Sequence, residues 1–525
     1  MHSNSLVPAL RLRDAFAAVL LLIPVTSWAK PSIPPITVTN VTLDKTSIQA
    51  GQTVQVAYTL SQPASSAGIL IELLTGATVA KSFPFLPPAV ETTAGAHTAL
   101  LDTNGLANAS YTVRVTAPSG STAGFINVTD TANPLLHFYN PRGVDVNRIT
   151  GSPAFGRIYV SEGAGGATTG RTTVQGIYML NSDLTDPFPD VEPKIPNSGA
   201  NGGEFASSAN SPFRVTVGPD SQLYIADWSD PHAGLFISDP DGNQVDDLIA
   251  FPNPDGGQRS SGGLTLDASG NQISGSTSSV WVEGTGASRK LFVTCEDMLG
   301  PLGNDADVWE YDIPTGQTHW GTPPTLKIEN MMADGVTPYF TYTYQDIVRD
   351  SAGNFYVTDC NDGGGAVNEA YKFDSAGKLV TKLPDTGARY FGIAIDDAHN
   401  RILISGDSGQ LFQTDKSFTS VRQVLNVGGG TNRDVAFDAA GWAYVVNSTN
   451  EQLYILAGPG EPVTGGAASA AATLTVISPT PGDVSPVGST GLFTGPFGHK
   501  YGDGKVDVTD AVYVLKIAAG LASIP

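Results

Sequence analysis

Apolar and polar residues alternate with a period of two between about residues 142 and 456, and the alternation comes in pairs of short runs. The second run of each pair is apolar and ends in a polar or small residue; its six copies are Ile158–Glu162, Leu223–Asp227, Leu291–Cys295, Phe355–Asp359, Ile402–Gly406 and Ala443–Asn447. The first runs are Gly143–Val146, Arg214–Val217, Gly263–Leu266, Asp346–Arg349, Gly392–Ile395 and Asp434–Phe437. Two period-2 runs joined by a turn predict a β-hairpin.

The turns between the paired runs carry Asp at the first position and Gly at the fourth, as in Asp267–Gly270, Asp350–Gly353 and Asp438–Gly441. Gly supplies a positive φ and Asp caps its own turn, so these segments are hairpin connections. A hairpin repeated at intervals of roughly 40–50 residues is typical of a β-propeller, with one blade for each copy. The pattern therefore predicts six blades.

One copy is specific enough to suggest a family. The run Asn354–Cys360, followed by Ala370–Lys378, resembles the NHL/SMP-30-like six-bladed propellers, and the resemblance covers residues 142–456. It implies a six-bladed β-propeller over residues 138–460. It leaves the chemistry open, because this fold carries lactonases, lyases and plain binding scaffolds.

Shorter alternating runs precede the repeats, between residues 36 and 130. Thr53–Leu60, Gly68–Leu74 and Ser110–Thr116 are separated by turn residues, which predicts a β-sandwich. The segments Ala94–Asn104 and Ala107–Val115 resemble the FlgD-type Ig-like modules of secreted bacterial proteins. That resemblance implies a spacer or adhesive unit. The predicted fold class is thus mainly β: an Ig-like sandwich plus a six-bladed propeller, with a small C-terminal loop-helix.

The N-terminus has the order of a secretory signal peptide, predicted to be residues 1–29. Arg11 and Arg13 precede the apolar run Ala15–Val25, and Ser27–Ala29 offers small residues at a cleavage site. A membrane anchor is the alternative, but it needs nearly twice this apolar length. No later segment is long and apolar enough to span a bilayer. We therefore expect an extracellular bacterial protein with no membrane span after signal cleavage.

The C-terminal segment carries the most specific motif. After a small-residue linker at 461–478, residues 479–525 contain Tyr501–Leu521, which resembles a single repeat of a type I dockerin, an EF-hand-like calcium loop followed by a helix. Ca²⁺ prefers several converging oxygens. The loop ligands would be the carboxylates of Asp503, Asp507 and Asp510 and the main-chain carbonyl of Lys505.

The start of this loop admits two alignments. In one, the first ligand positions fall on His499 and Tyr501, which are poor Ca²⁺ ligands; in the other, which we favour, Asp483 is the first ligand and an insertion separates it from the rest. A capped helix with solvated acids is the structural alternative. Dockerins that dock tightly carry two repeats, so docking to a cohesin-like or cell-surface partner is left open.

The amino-acid composition argues against some classes of binding partner. The chain has 28 Lys and Arg against 50 Asp and Glu, a net charge of −22 that argues against nucleic acid and anionic membranes. Its two cysteines, Cys295 and Cys360, are too few for a disulfide scaffold. They are either two unpaired, buried thiols or a single disulfide.

The polar residues that end the second runs would lie around one rim of the propeller. The oxygens of Glu162, Asp227, Asp359 and Asn447 could together hold a hard cation that polarises an ester or lactone carbonyl. The alternative is that each accepts backbone N–H groups of its own loop. Cys295 and Gly406 occupy the two remaining positions, which weakens the metal hypothesis. Four aromatic residues, Trp228, Trp281, Tyr390 and Trp442, could stack on sugar rings at the rim, since a sugar face is an apolar plate. Packing between the blades is the alternative for these side chains.

The sequence favours a secreted multidomain binding or scaffold protein in extracellular polysaccharide utilisation. The propeller would bind a ligand, such as a carbohydrate, and the tail would provide calcium-dependent anchoring. A metal-dependent hydrolase or lyase that uses the propeller rim is the alternative.

Overall fold

A computed structural model describes residues 36–118, 121–197, 205, 210–228, 234–250, 277–295, 307–316, 324–330, 344–359, 369–461 and 468–477. The described chain is mainly β, as predicted, and is divided among many small sheets. Its helices are single 3₁₀ turns: η1 Val90–Thr92, η2 Pro134–Leu136, η3 Gly286–Ser288, η4 Asp397–His399 and η5 Asp407–Gly409. None of the described helices has the length and apolarity needed to cross a membrane.

The N-terminal part forms two facing sheets. Its strands are β1 Val38–Leu43, β2 Ser47–Gln49, β3 Thr53–Leu60, β4 Ile69–Thr75, β5 Thr78–Phe85, β6 Gly95–Asp102 and β7 Ala109–Ala117. Strands β1, β3 and β6 form one sheet, and β4, β5 and β7 belong to the other. Inward residues such as Val54, Val56, Ile71 and Val113 are fully buried between the two sheets, which is why each strand alternates.

The remaining strands form six four-stranded antiparallel sheets and one short hairpin. They are β8 Ile126–Asn127, β9 Pro141–Val146, β10 Ile158–Glu162, β11 Gly166–Ala167, β12 Thr172–Thr173, β13 Gly176–Leu180, β14 Ile195–Pro196, β15 Arg214–Val217, β16 Leu223–Asp227, β17 Gly234–Ser238, β18 Val245–Ala250, β19 Thr277–Glu283, β20 Lys290–Cys295, β21 Val308–Asp312, β22 Thr325–Ile328, β23 Tyr344–Arg349, β24 Phe355–Asp359, β25 Ala370–Phe373, β26 Leu379–Lys382, β27 Tyr390–Asp396, β28 Arg401–Gly406, β29 Gln410–Thr414, β30 Arg422–Asn426, β31 Asn432–Phe437, β32 Ala443–Asn447 and β33 Gln452–Ala457.

Sheets 1 to 6 begin with β9, β15, β19, β23, β27 and β31, respectively. Each of these first strands contacts the first strand of the next sheet, and β31 contacts β9. The six sheets therefore close into a ring, an arrangement compatible with a propeller-like fold. Apolar side chains fill the spaces between neighbouring sheets, as Val282 and Leu235 do between sheets 2 and 3. We call this assembly the ring.

Sheet 6 combines three strands from the end of the ring sequence with one strand from its start. Strand β8 precedes sheet 1 in the chain but pairs with β33 of sheet 6, with Ile126 opposite Ala457 and Asn127 opposite Leu456. This pairing joins the start of the ring to its end. The closure removes two sheet edges that would otherwise expose unpaired backbone groups.

The chain then returns to the sandwich. The segment predicted to be a linker at 461–478 contains strand β34, Ala468–Ile477, which lies between β2 and β7 in a five-stranded sheet. It pairs with β7 along its length, from Ala468 opposite Ala117 to Val476 opposite Ala109. The small residues of this segment suggested a linker, yet Leu474 and Val476 alternate with exposed residues and are buried in the sandwich core. The ring is thus inserted between β7 and β34.

Two chain segments connect the sandwich to the ring and are hydrogen-bonded to each other. The Thr122 hydroxyl donates to the Gly458 carbonyl at 2.6 Å. The Thr122 N–H donates to the Glu461 carbonyl, and the Gly460 N–H donates to the Thr122 carbonyl. These hydrogen bonds hold the two connecting segments side by side.

Sheet 3 differs from its predicted form. The run Gly263–Leu266 and the turn Asp267–Gly270 lie outside the described residues, and the strand that pairs with β20 is β19, Thr277–Glu283. The polar start of β19, at Thr277, Ser278 and Ser279, hides its alternation in the sequence. The other predicted pairs of runs form the hairpins expected of them.

Candidate functional site

The first strands surround a narrow central channel, and each contributes one residue at the same register. These residues are Gly143, Arg214, Ser279, Asp346, Gly392 and Asp434. A side chain at Gly143 would meet the backbone of Arg214 at 2.8 Å. Glycine is needed there because the backbone at Phe213 and Arg214 and the Ser161 hydroxyl come too close for a Cβ atom.

Arg214 closes the channel with an ion-pair cluster. Its Nη1 lies 2.5 Å from Asp434 Oδ1 and 3.5 Å from Asp346 Oδ2. Its Nε donates to the Gln345 carbonyl at 3.0 Å, and its Nη2 donates to the carbonyls of Phe391 and Arg433 at 3.1 and 3.2 Å. One buried guanidinium thus binds groups from sheets 4, 5 and 6 while it belongs to sheet 2.

The buried carboxylates join neighbouring sheets. Asp434 accepts the N–H of Val144 in sheet 1 at 2.9 Å, and Asp346 accepts the N–H of Ile393 in sheet 5 at 2.8 Å. Burial raises the pKa of Asp434 to about 8, while Arg214 and two backbone N–H groups oppose that rise. Since these oxygens already accept backbone donors, their role is to hold the ring together.

A wider cavity of about 660 Å³ lies at the C-terminal ends of the first strands, and we call it the funnel. Its lining includes Arg148, Thr216, Trp281, Glu283, Arg349, Asp350, Asp396, Asp397, Phe437, Asp438 and Ala439. Arg148, Trp281 and Phe437 also line a small cavity of about 50 Å³ in the channel, next to Arg214. The volume of the funnel is within the range of small-ligand sites.

The carboxylates that line the funnel already accept hydrogen bonds from the protein or pair with its cations. Asp350 accepts four hydrogen bonds within its turn and from Tyr356, at 2.8 to 3.0 Å. Asp438 accepts the N–H groups of Ala440 and Trp442. The other three pair with cations: Glu283 with Arg349, Asp396 with Arg401 and Asp397 with Lys416.

The donors of the funnel are less occupied. Arg148 is half-buried and makes one long hydrogen bond, 3.4 Å from its Nη1 to the Ile395 carbonyl, among the described residues. The Nε1–H of Trp281 is buried and has no acceptor among them. Because the Trp281 N–H is out of reach of solvent, Arg148 is the donor of this pair that a ligand in the funnel could reach.

The four predicted rim residues lie at the opposite end of the ring from the funnel, at the ends of β10, β16, β24 and β32. All four, Glu162, Asp227, Asp359 and Asn447, are buried. Glu162 accepts the N–H of Asn140 at 2.5 Å, Asp227 accepts the Ser211 hydroxyl at 2.6 Å, and Asn447 donates to the Gly429 carbonyl at 2.7 Å. Each of these three side chains fixes the loop that precedes the first strand of its own sheet.

Within the described part of the chain, no three His, Cys, Asp or Glu side chains gather closely enough to hold an ion, so the rim metal site stays a prediction. Burial raises the pKa of Glu162 to about 8, and the N–H of Asn140 is the largest opposing influence. Cys360, Asp483, Asp503, Lys505, Asp507 and Asp510 lie outside the described residues, as does the predicted loop-helix to which the last five belong.

Replacing both Asp227 and Asp359 with alanine is expected to leave the metal content of the protein unchanged. The free energy of unfolding should fall by about 1–3 kcal/mol for each buried partner left unsatisfied. Mass spectrometric metal analysis and urea denaturation measure the two effects, with Asp190→Ala, an exposed acid, as the control. A metal lost only from the rim variant would restore the rim as a metal centre.

Sequence reasoning named Trp281 only as a candidate stacking residue and did not single out Arg148 or Arg214. A signal for Arg214 was available: it opens a buried run at a position where the other copies have Gly or Asp. Nothing in the sequence distinguishes Arg148, which follows its strand by two residues. Its relation to Trp281 depends on how sheets 1 and 3 meet in the ring.

Comparison with solved structures finds a crystal structure of a structural-genomics protein of unknown function from Bacteroides thetaiotaomicron VPI-5482. The two chains share 10% sequence identity, and the alignment covers 81% of this chain and 98% of that chain with a TM-score of 0.36. A likeness this weak does not bear on function. No protein-family model matches the chain, and no curated protein matches it.

Proposed function

We propose that the protein is a secreted bacterial binding or scaffold protein whose ring is a six-bladed, NHL/SMP-30-like β-propeller that binds a carbohydrate. In this proposal the signal peptide directs secretion, and the sandwich is a FlgD-type Ig-like spacer. The dockerin-like tail anchors the protein to a cohesin-like or cell-surface partner through Ca²⁺. Polysaccharide utilisation outside the cell is the setting.

The funnel is the observation that carries the proposal. It combines an aromatic plate, Trp281, with hydrogen-bonding groups around a cavity of about 660 Å³, the combination that sugar binding requires. Its carboxylates are held by turn N–H groups or by cations, so none is placed as a free acid or base. Binding is therefore favoured over hydrolysis at this site.

Filling the funnel tests the proposal. Ala439 is exposed and lines the funnel, whereas Ala440 is its exposed neighbour in the same turn and does not line it. We expect Ala439→Trp to abolish polysaccharide binding by the full chain, since the indole would occupy the cavity, and Ala440→Trp to retain it. Binding would be measured by affinity electrophoresis against a panel of polysaccharides. Unchanged binding by Ala439→Trp, or binding to no polysaccharide by the wild type, would contradict the proposal.

The tail has its own test. Replacing Asp503 with alanine is expected to abolish the Ca²⁺ uptake of the full chain in calorimetry, because a carboxylate at this position supplies a central ligand of the proposed loop. Asp190→Ala should leave the uptake intact. Full Ca²⁺ affinity in Asp503→Ala would refute the loop assignment without affecting the funnel.

A further inference from the structure

The unused hydrogen-bonding capacity of the funnel is donor capacity. Arg148 lines the funnel and uses one of its five N–H donors in a long bond. The acceptors, by contrast, are taken: Asp350 alone receives four hydrogen bonds. A ligand that fits this wall presents oxygen acceptors.

The charge around the funnel determines whether a neutral or an anionic ligand is preferred. Five carboxylates line the funnel, and four cations stand on or behind its wall: Arg148, Arg349, Arg401 and Lys416. Three of those cations already pair with carboxylates. Burial raises the pKa of the Asp145 carboxyl, and Arg148 lies near enough to oppose that rise. An anionic ligand would thus meet a site with surplus negative charge in a protein of net charge −22. Like charges at close range oppose binding.

We infer that the funnel selects a neutral sugar, whose ring packs on Trp281 and whose hydroxyl and ring oxygens accept hydrogen bonds from the Arg148 guanidinium. This inference rests on the proposed function and names the ligand class of the same site. A neutral sugar supplies acceptors without adding charge, and its apolar face suits the indole ring. Acidic glycans built from uronic acids are excluded by the same groups.

Parallel binding measurements with neutral and acidic polysaccharides test the selectivity. The full chain would be titrated with neutral glucans, galactans, mannans and xylans, and with polygalacturonate, alginate and hyaluronan. We expect binding to at least one neutral glycan and at least tenfold weaker binding to every acidic one. If an acidic glycan binds as tightly and Ala439→Trp abolishes that binding, the proposed function stands and the neutral selectivity is overturned. If no glycan binds, the proposed function itself fails.

Two substitutions test the residues. Arg148→Gln should weaken binding of the neutral glycan about tenfold, the loss expected for a hydrogen bond from a charged donor. Trp281→Phe replaces the indole with a smaller aromatic ring, which offers less apolar surface to the sugar, and should weaken binding about threefold. The controls are Arg422→Gln, an exposed arginine of β30, and Trp309→Phe, whose buried Nε1 also lacks an acceptor but lies outside the funnel.

The controls should bind like the wild type, with circular dichroism showing that all four variants fold. Wild-type affinity in both Arg148→Gln and Trp281→Phe would show that neither side chain contacts the sugar and would overturn the inference. An equal loss in Trp309→Phe would attribute the effect to the stability of sheet 3 and would overturn it as well.

Discussion

Replacing Leu474 with aspartate is expected to unfold the sandwich. Leu474 is fully buried in β34, between the two sheets of the sandwich. An aspartate there would be a charge in an apolar core, which costs far more than a surface substitution, so we expect the free energy of unfolding of the sandwich to fall by more than about 4 kcal/mol. The neighbouring Thr473 is exposed on the same strand. Thr473→Asp should therefore be nearly neutral.

The two parts of the chain can be followed separately in this experiment. The tryptophans of the chain all lie outside residues 36–118, so tryptophan fluorescence reports on the ring, while hydrogen exchange at Val54 and Val113 reports on the sandwich. We expect Leu474→Asp to lose exchange protection in the sandwich while the fluorescence stays native. Equal protection in Leu474→Asp and Thr473→Asp would show that β34 does not support the sandwich.

Replacing Arg214 with methionine should destabilise the ring by about 3–5 kcal/mol, the cost of leaving buried carboxylates without their cation. The variant keeps a long side chain in the channel but loses the ion pairs to Asp434 and Asp346. Arg422→Met, which changes an exposed arginine in β30, is the control and should cost little. Adding Asp434→Asn to Arg214→Met should recover part of the loss above about pH 8, because the amide cannot acquire the charge that Asp434 would carry there.

The effect should depend on pH in a defined direction. Burial raises the pKa of the Asp434 carboxyl from 3.8 to about 8 in the folded protein, with Arg214 opposing the rise. A raised pKa stabilises the fold below the ordinary value of 3.8, and this stabilisation is lost as the pH rises through the folded value. Without Arg214 the folded pKa of Asp434 rises further, so the loss of stability continues above about pH 8 and the deficit of Arg214→Met should be larger at about pH 10 than at about pH 6. Urea denaturation at both pH values measures it; a constant deficit would contradict the charge argument.

The strands that the sequence predicted best are those buried on both faces and bounded by Asp/Gly turns. The structure has β10, β16, β24 and β32 with the predicted bounds, because their apolar runs end where the backbone turns. Turn chemistry is equally local: Gly353 and Gly441 have φ values of 83° and 81°, and Asp350 and Asp438 cap the same turns. Such features depend on residues that are close in the sequence, so they can be predicted from it.

The features that the sequence did not predict depend on distant partners. Strand β34 is rich in alanine and threonine, so its burial becomes visible only once β2 and β7 lie on either side of it. The funnel brings together Arg148 from sheet 1, Trp281 from sheet 3 and Phe437 from sheet 6. The rim residues stood out in the sequence because a repeated polar residue is conspicuous, whereas a single tryptophan within one strand is not.

The insertion of the ring within the sandwich also determines how the molecule would carry a mechanical load. A pull applied to the chain beyond Ile477 acts along β34, which pairs in parallel with β2 and antiparallel with β7. Those hydrogen bonds lie across the direction of pulling, so they must shear together instead of opening one at a time. A pull on the tail would therefore be resisted first by the sandwich, through the hydrogen bonds of β34.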